Sequence, residues 1–167
     1  MKTWSAAPLL LLAATLCGCA AAHRELVLAP VGPPPAVSSG SGGATGSLLV
    51  FSAFEPTPGF NSLAYRRQYS DYRVLSADGR QLVQVVHNDT GKLLEGPRAV
   101  ELPPGKYRVL ARANGYGTVV VPIAIKPNQV TTVHLEGGVW WPRSSPILQA
   151  SPVRLPDSQI VGWPALD

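Results

Sequence analysis

Alternation of apolar and polar side chains between residues 106 and 125 constrains the fold of this chain more than any other feature. Apolar side chains occupy every second position on both sides of an Asn-Gly pair. A period of two puts such side chains on one face of a β-strand, and Asn-Gly favours a tight turn between strands. The segment predicts a hairpin with these inward-facing residues: Tyr107, Val109, Ala111, Ala113, Val119, Val121, Ile123 and Ile125. Pro122 cannot donate a ladder hydrogen bond, so we expect it at an edge or a bulge.

Five further short segments have the composition of β-strands and are separated by turn sequences. They are residues 47–54, 71–76, 81–87, 98–102 and 130–135. The 167 residues include 17 prolines and 16 glycines, which interrupt long helices. We therefore predict an all-β fold, a single seven-stranded antiparallel β-sandwich over residues 47–136.

Residues 102–136 contain three short motifs in a fixed order. These are Gly-x-Tyr-x-Val from Gly105, Asn-Gly-Tyr from Asn114, and Val-x-Leu from Val133. In this order the motifs resemble the second half of carboxypeptidase regulatory-like and PEGA-type domains. The resemblance implies a prealbumin-like (Ig-like) β-sandwich. It also implies a spacer or recognition module, because that family has no shared active site.

Residues 1–18 resemble a bacterial lipoprotein signal peptide. One positive side chain, Lys2, precedes an apolar run over residues 6–16. That run is too short to span a bilayer, which takes about 20 apolar residues, but it has the length of a secretory signal core. It ends in the sequence LCGC, which is similar to the lipoprotein cleavage motif. The resemblance implies cleavage between Gly18 and Cys19 and acylation of Cys19.

Acylation of Cys19 would anchor the protein in a lipid bilayer, since two or three acyl chains give stable binding where one does not. Cleavage would also remove Cys17, so the mature chain could form no internal disulfide. Ala20 stands where the inner-membrane retention signal of lipoproteins has an acid, which implies the outer membrane. The alternative is a plain secretory signal that is cut near residues 20–22.

Two segments that flank the predicted sandwich are rich in turn-forming residues. Twelve of the 18 residues over 29–46 are proline, glycine or serine. We therefore predict that residues 19–46 form a disordered N-terminal tether with a reach of about 30 Å. Residues 137–167 contain five prolines and are predicted to form an extended C-terminal tail without strands.

The net charge argues against one class of partner. Removal of residues 1–18 takes away only Lys2, which leaves 13 basic and 10 acidic side chains, a net charge of +3. An excess this small is not the footprint of a nucleic-acid-binding protein. We expect no nucleic-acid partner.

The sequence shows no catalytic motif and no set of metal ligands. Its histidines are His23, His87 and His134, and we expect the last two to be surface or half-buried strand residues. Two enzyme families share the prealbumin-like sandwich, but the terminal Tyr-Arg-Gly-Ser of hydroxyisourate hydrolases and the His-x-His of intradiol dioxygenases are both missing here. We therefore predict no catalytic residue, no metal, no cofactor and no enzymatic activity. The alternative of a hydrolase or metal enzyme requires His87 or His134 to meet an acid or a tyrosine in a concave pocket.

Tryptophans in the tail are the first candidate partner-binding residues. Trp140, Trp141 and Trp163 could stack on sugar rings or fill a pocket of a partner. Alternatively, their rings fold back over the open edge of the sandwich.

Basic side chains on one strand are the second candidate. Lys106, Arg108 and Arg112 alternate with the inward-facing residues and therefore share one face. They could bind an anionic glycan or a lipid headgroup. The alternative is a solvated face that is partly paired with Glu101.

These features together predict a non-catalytic recognition or assembly module, lipid-anchored through Cys19 in the bacterial cell envelope. An envelope protein or a glycan would be its partner. The first alternative is a glycan- or peptidoglycan-binding module that uses the tail tryptophans.

Overall fold

The structure is a computed structural model, and it describes residues 25–34, 44–55, 68–88, 96–137 and 151–166. Every regular element among these residues is a β-strand. The strands are β1 (Leu26–Val27), β2 (Val31–Gly32), β3 (Gly46–Phe51), β4 (Phe54–Glu55), β5 (Gln68–Tyr69), β6 (Tyr72–Ser76), β7 (Leu82–Val86), β8 (Val100–Leu102), β9 (Gly105–Ala113), β10 (Gly117–Ile125), β11 (Val130–His134), β12 (Val153–Arg154) and β13 (Ile160–Pro164).

The strands form two main sheets and one short pair. The larger sheet has eight strands in the order β12-β13-β2-β10-β9-β6-β7, and β1 also pairs with β10. The smaller sheet has the order β11-β3-β8, and β4 pairs with β5. One cluster of buried side chains joins the two sheets, with Val109 and Val121 from the larger and Leu48 and Val133 from the smaller, all fully buried. The fold is therefore all-β and sandwich-like, as the sequence predicts.

The hairpin that the alternating pattern predicts is the centre of the larger sheet. Strands β9 and β10 pair along their full length, from Gly117 opposite Ala113 to Ile125 opposite Gly105. The inward-facing residues are buried, except for the half-buried Tyr107. Gly115 has a φ of 79° in the connecting turn, a backbone conformation that suits glycine.

All seven predicted strands are present, but the pairing is not purely antiparallel. Strands β3 and β6 to β11 lie within a few residues of the predicted bounds. However, β11 runs parallel to β3, and β1 and β2 run parallel to β10. Parallel neighbours need long connections, and each of these pairs joins segments that are far apart in the chain. Local turn signals therefore could not reveal them.

The predicted tether extends too far along the chain, because β1 and β2 belong to the larger sheet. The backbone N–H of Leu28 donates to the carbonyl of Val120 at 2.9 Å. Leu28 and Val31 are buried in the core. Proline and glycine dominate the composition of this region, but a few aliphatic side chains suffice to pair it with β10 because each removes apolar surface from water.

Pro122 lies inside the larger sheet, opposite the break between β1 and β2. The carbonyl of Val120 accepts a hydrogen bond from the N-terminal segment. The backbone nitrogen of Pro122, two residues further along β10, faces the same segment. The parallel ladder stops after Leu28 and resumes where Val31 pairs with Ile123. Pro122, which has no N–H to donate, therefore lies where the hydrogen bonds between β10 and the N-terminal strands are interrupted. Strand β10 is an interior strand of the sheet, so Pro122 does not lie at an edge.

The predicted tail is also wrong in part, because residues 151–166 add β12 and β13 to the larger sheet. Trp163 pairs with Gly32, and Val161 is fully buried. A Cβ atom on Gly162 would lie 2.6 Å from Cγ1 of Val31 and 2.8 Å from the carbonyl oxygen of Thr132. Only glycine permits so close an approach. Five prolines suggest an extended chain, yet alternate residues of β13 carry the side chains that cover the core.

Candidate functional site

The outer surface of the larger sheet carries the basic residues that the sequence singles out. Val109, Ala111 and Ala113 of β9 are buried against the smaller sheet. Because side chains alternate along a strand, Lys106, Arg108 and Arg112 point away from that sheet. Lys106 and Arg112 are exposed and Arg108 is half-buried. The predicted orientation of these three residues is confirmed.

A fourth basic residue, Arg73, joins this surface from the neighbouring strand. Arg73 of β6 is exposed and lies directly opposite Leu110, between Arg108 and Arg112. Adjacent strands are about 4.8 Å apart, and alternate residues of one strand are about 7 Å apart. We call the surface of Arg73, Lys106, Arg108 and Arg112 the cationic face. In the sequence, Tyr72 and Val74 are the inward-facing residues of this strand. Arg73 lies between them, so the same alternation predicts that it belongs to the cationic face.

Among the described residues, two acids flank the cationic face: Asp71, directly before β6, and Asp78, in the turn after it. Strands β6, β9 and β10 contain no aspartate or glutamate. Asp78, in the turn after β6, is the acid that interacts with Arg108. Two unit charges about 7 Å apart repel by about 0.6 kcal/mol in bulk water. The face is therefore arranged to gain from an anionic group that lies between its guanidinium groups.

The hydrogen bonds of Asp78 keep its carboxylate charged. It accepts from the hydroxyl of Ser76 at 2.5 Å and from the backbone N–H of Arg80 at 3.1 Å. The Ser76 hydroxyl, the Arg80 N–H and, less strongly, the charge of Arg108 hold the pKa of Asp78 below its usual range. Asp78 is exposed and lies in the turn after β6, so it offsets the positive charge at one corner of the face.

Glu101, the acid that the sequence offers as a partner of this face, accepts hydrogen bonds from residues at the start of β3. It lies on β8 in the smaller sheet, opposite Ser47. Its carboxylate accepts hydrogen bonds from the hydroxyls of Thr45, at 3.1 Å, and Ser47. A partial pairing of Glu101 with the basic residues of β9 stays a prediction.

An exposed apolar edge lies beside the cationic face. Leu82, Val83 and Val85 of β7 are 52%, 45% and 43% exposed. Val85 is the partner of Arg73 across β6 and β7, so the two features adjoin. Sequence periodicity predicts β7 but cannot reveal that four of its five residues are exposed.

Each of the two strand histidines meets an acid. Nδ1 of His87 lies 2.6 Å from Oδ2 of Asp71, and the two side chains are 75% and 53% exposed. Exposed pairs of this kind contribute about 0–1 kcal/mol. The other oxygen of Asp71 accepts from the backbone N–H of Asn88 at 3.0 Å. This pair therefore fixes the end of β7.

The second pair, His134 and Glu136, is largely buried. Nδ1 of His134 lies 2.8 Å from Oε1 of Glu136, and the imidazole stacks on the ring of Phe51 with 4.5 Å between centroids. Tyr69 meets Phe51 edge to face. Oε2 of Glu136 is buried without a hydrogen-bond partner. A carboxylate in this position orients the imidazole and fixes which ring nitrogen faces outward. Both histidines are surface or half-buried strand residues, as predicted.

The other residues that the sequence singles out are the candidate binding tryptophans and the predicted cleavage and lipidation residues. One of them lies in the core, and the others lie outside the described residues. Trp163 is 9% exposed in β13, so most of its ring covers the core. Gly18, Cys19, Trp140 and Trp141 lie outside the described residues.

The described part of the chain contains neither a cluster of metal ligands nor a helix that could span a membrane. Nowhere in residues 25–34, 44–55, 68–88, 96–137 and 151–166 do three or more histidine, cysteine, aspartate or glutamate side chains gather as a metal site would need. The same residues contain no helix with the length and apolar character to cross a bilayer.

Comparisons of the chain with protein-family models, with curated proteins and with solved structures gave no match.

Proposed function

We propose that this protein is a non-catalytic recognition module, lipid-anchored in the bacterial cell envelope through Cys19, that binds an anionic envelope component through its cationic face. The observation that carries the proposal is the grouping of Arg73, Arg108 and Arg112 on one face of adjacent strands that contain no aspartate or glutamate. Guanidinium groups bind phosphate and carboxylate in a bidentate manner. An acidic glycan and an anionic lipid headgroup both offer these groups.

The position of β1 supports a module that stays close to its membrane. Seven residue steps separate Cys19 from Leu26, the first residue of β1. At about 3.5 Å for each residue, they reach at most about 25 Å, and a flexible chain of this length spans roughly 15 Å on average. A lipid on Cys19 would therefore hold the sheet near headgroup level.

A prealbumin-like ancestry of the central strands is part of the proposal. The seven strands predicted from the sequence form a contiguous core, and the motifs from Gly105 to Leu135 lie on β9, the following turn and the end of β11. In this interpretation β1, β2, β12 and β13 are additions to a carboxypeptidase regulatory-like sandwich. Such domains serve as recognition modules without a shared active site, which agrees with the proposed function.

Binding to defined anionic surfaces tests the role of the cationic face. The full chain with Cys19→Ala, which removes the anchor, is mixed with phosphatidylglycerol vesicles, phosphatidylcholine vesicles or sedimentable peptidoglycan, and the bound fraction is measured. We expect binding to phosphatidylglycerol or peptidoglycan, weakening with added salt, and none to phosphatidylcholine. Each basic residue near an anionic surface contributes about 1 kcal/mol, so Arg73→Gln with Arg112→Gln should bind roughly 30-fold more weakly.

The matched control is Arg154→Gln, which removes an exposed cation from β12 at the far end of the same sheet. It should bind like the parent chain. Equal losses in the control and the double variant, or no binding to either anionic probe, would contradict the proposal. The two anionic probes distinguish a lipid from a glycan.

Metabolic labelling with a tagged fatty acid tests the anchor separately. The wild-type chain should carry the label and fractionate with membranes, whereas Cys19→Ala should lose both properties. Label that is missing from both chains would mean that Cys19 is not the anchor.

A further inference from the structure

We propose that the outer surface of the larger sheet lies against an anionic lipid bilayer, with aliphatic side chains of β6, β7 and β9 entering the membrane between the arginines. Because the cationic face is part of this surface, the assignment rests on the proposed function and narrows its partner to a lipid membrane. The side chains that stand between the basic residues carry the proposal, since they are leucine and valine.

Two rows of paired residues cross β7, β6 and β9, and each combines one arginine with two aliphatic side chains. The rows are Val85, Arg73 and Leu110 in one case and Leu82, Leu75 and Arg108 in the other. Directly paired residues of neighbouring strands point to the same face of a sheet. Tyr72 and Val74, which alternate with Arg73, are buried in the core, so both rows lie on the outer surface.

The aliphatic members of these rows are accessible to a partner. Leu82 and Val85 are 52% and 43% exposed, and Leu75 and Leu110 are half-buried. Transfer of such side chains from water to hydrocarbon is favourable. Binding at a membrane interface increases both with the apolar area that it buries and with the attraction to anionic lipids. This surface offers the two contributions side by side.

The residues beside the arginines favour a lipid over a glycan. Tyr72 and Tyr107 are the aromatic residues of β6, β7 and β9, and both alternate with the outward-facing positions. No aromatic ring therefore points outward from these three strands to stack on a sugar. Leucine and valine have no donor or acceptor for sugar hydroxyl groups, whereas the acyl chains of a lipid can cover them.

The charge of this surface favours an anionic membrane over a neutral one. Four basic side chains form the cationic face and two acids, Asp71 and Asp78, flank it, which leaves a net charge of +2. Nδ1 of His87 lies 2.6 Å from Asp71, so protonation of this imidazole would offset one of the two acids. Basic side chains are attracted to the negative surface potential of an anionic leaflet over about a Debye length.

The predicted lipid anchor lies within reach of this surface. Leu26 pairs with Val119 of β10, and Val119 pairs with Ala111 of β9, which is next to Arg112. Two strand spacings of about 4.8 Å therefore separate the start of β1 from the end of β9 that carries Arg112. A lipid on Cys19, seven residue steps before Leu26, would enter the same membrane that this surface contacts.

Binding of the Cys19→Ala chain to phosphatidylglycerol vesicles measures the aliphatic contribution. Leu82→Ser with Val85→Ser should bind roughly 30-fold more weakly, because two apolar side chains no longer enter the membrane. The matched control is Val130→Ser in the smaller sheet, where Val130 has the same 43% exposure as Val85, and it should bind like the parent chain. Circular dichroism should show unchanged unfolding for both variants. Equal binding by the double variant and the parent overturns the proposal.

A fluorescent label tests the orientation directly. Leu82→Cys and, as its control, Val130→Cys are made in a Cys17→Ser, Cys19→Ala chain, which leaves a single thiol for an environment-sensitive dye. When phosphatidylglycerol vesicles are added, the dye at residue 82 should emit at shorter wavelength and be quenched by brominated acyl chains. The dye at residue 130 should show neither change. Because each dye reports only its own surroundings, membrane binding by another segment does not mimic this result.

The outcomes distinguish this proposal from the proposed function. If the vesicles bind through the arginines but the dye at residue 82 stays in water, the contact is limited to headgroups; insertion is overturned while the cationic face keeps its role. Binding to peptidoglycan without binding to phosphatidylglycerol also overturns the membrane proposal and leaves a glycan as the partner. Binding to neither probe contradicts both proposals.

Discussion

The two edges of the larger sheet differ in whether their apolar side chains are buried or exposed. At one end, β13 and β12 cover the core with Val161 and Trp163, and Gly162 allows β13 to approach Val31 and Thr132 closely. At the other end, β7 exposes Leu82, Val83 and Val85. One end is closed by segments from both ends of the described chain, while the other is left open. Within the described residues, the same sheet therefore buries apolar side chains at one edge and exposes them at the other.

Removal of the large side chain at the closed end should have the largest effect. We expect Trp163→Ala to lower the free energy of unfolding by about 3–5 kcal/mol, because it leaves a cavity under β13. Urea unfolding followed by circular dichroism measures the change. The control is Val83→Ala at the open end, where an exposed side chain should change stability by less than about 0.5 kcal/mol. Similar values for the two variants would show that the ends are equivalent in stability.

A smaller effect of opposite sign is expected at Tyr72, in the strand next to the open edge. Its ring is 2% exposed, and its hydroxyl is buried without a hydrogen-bond partner. Burial raises the pKa of Tyr72 above its usual range, partly offset by the charge of Arg98. Tyr72→Phe removes the hydroxyl and keeps the ring, so the free energy of unfolding should stay constant or rise by up to about 1 kcal/mol.

Tyr107→Phe is the matched control for this change. The hydroxyl of Tyr107 donates to the carbonyl of Pro103 at 3.0 Å, and its loss should lower the free energy of unfolding by about 0.5–1.5 kcal/mol. Thermal or urea unfolding of the two variants compares the signs. A loss for Tyr72→Phe as large as that for Tyr107→Phe would mean that the Tyr72 hydroxyl has a stabilising contact.

The smallest effect concerns the turn between β6 and β7. Because the folded pKa of Asp78 is lowered, its carboxylate stabilises the fold above the unfolded pKa, and this contribution disappears as the pH falls through the folded value. Ser76→Ala removes the main hydrogen bond and should raise the pKa of Asp78 towards its usual range. A carboxylate titration by NMR measures the shift. Ser47→Ala, which removes a similar hydrogen bond from Glu101, should leave Asp78 unchanged.

Sequence alone predicts the parts of this fold that local patterns determine. The period of two and the turn sequences locate seven strands and orient Lys106, Arg108 and Arg112 correctly. The same alternation places Arg73, between the inward-facing Tyr72 and Val74, on the outer face. Local patterns do not determine which distant strands pair, so the addition of β1, β2, β12 and β13 to the sheet is seen only in the structure.

Asn88 shows why part of the site could not be predicted. In the sequence it opens a polar turn cluster, which is typical of a solvent-exposed loop. In the structure its side chain is buried, donates to the carbonyl of Val50 and to the hydroxyl of Ser52, and accepts from the backbone N–H of Arg98. These partners come from two other parts of the chain, residues 50–52 and residue 98, so no local pattern contains them. The anchor at Cys19 and the binding of an anionic partner stay predictions.

The pairing of β2 with β13 has a consequence for the order in which the protein can be completed. Gly32 and Trp163 face each other across 131 positions of the chain, so β2 can pair with β10 but lacks its second neighbour until β13 has been made. Contacts between such distant segments form slowly, since loop closure must precede them. A newly made chain would therefore stay incompletely folded throughout its synthesis, which is the state in which a polypeptide can still be threaded through a narrow export channel.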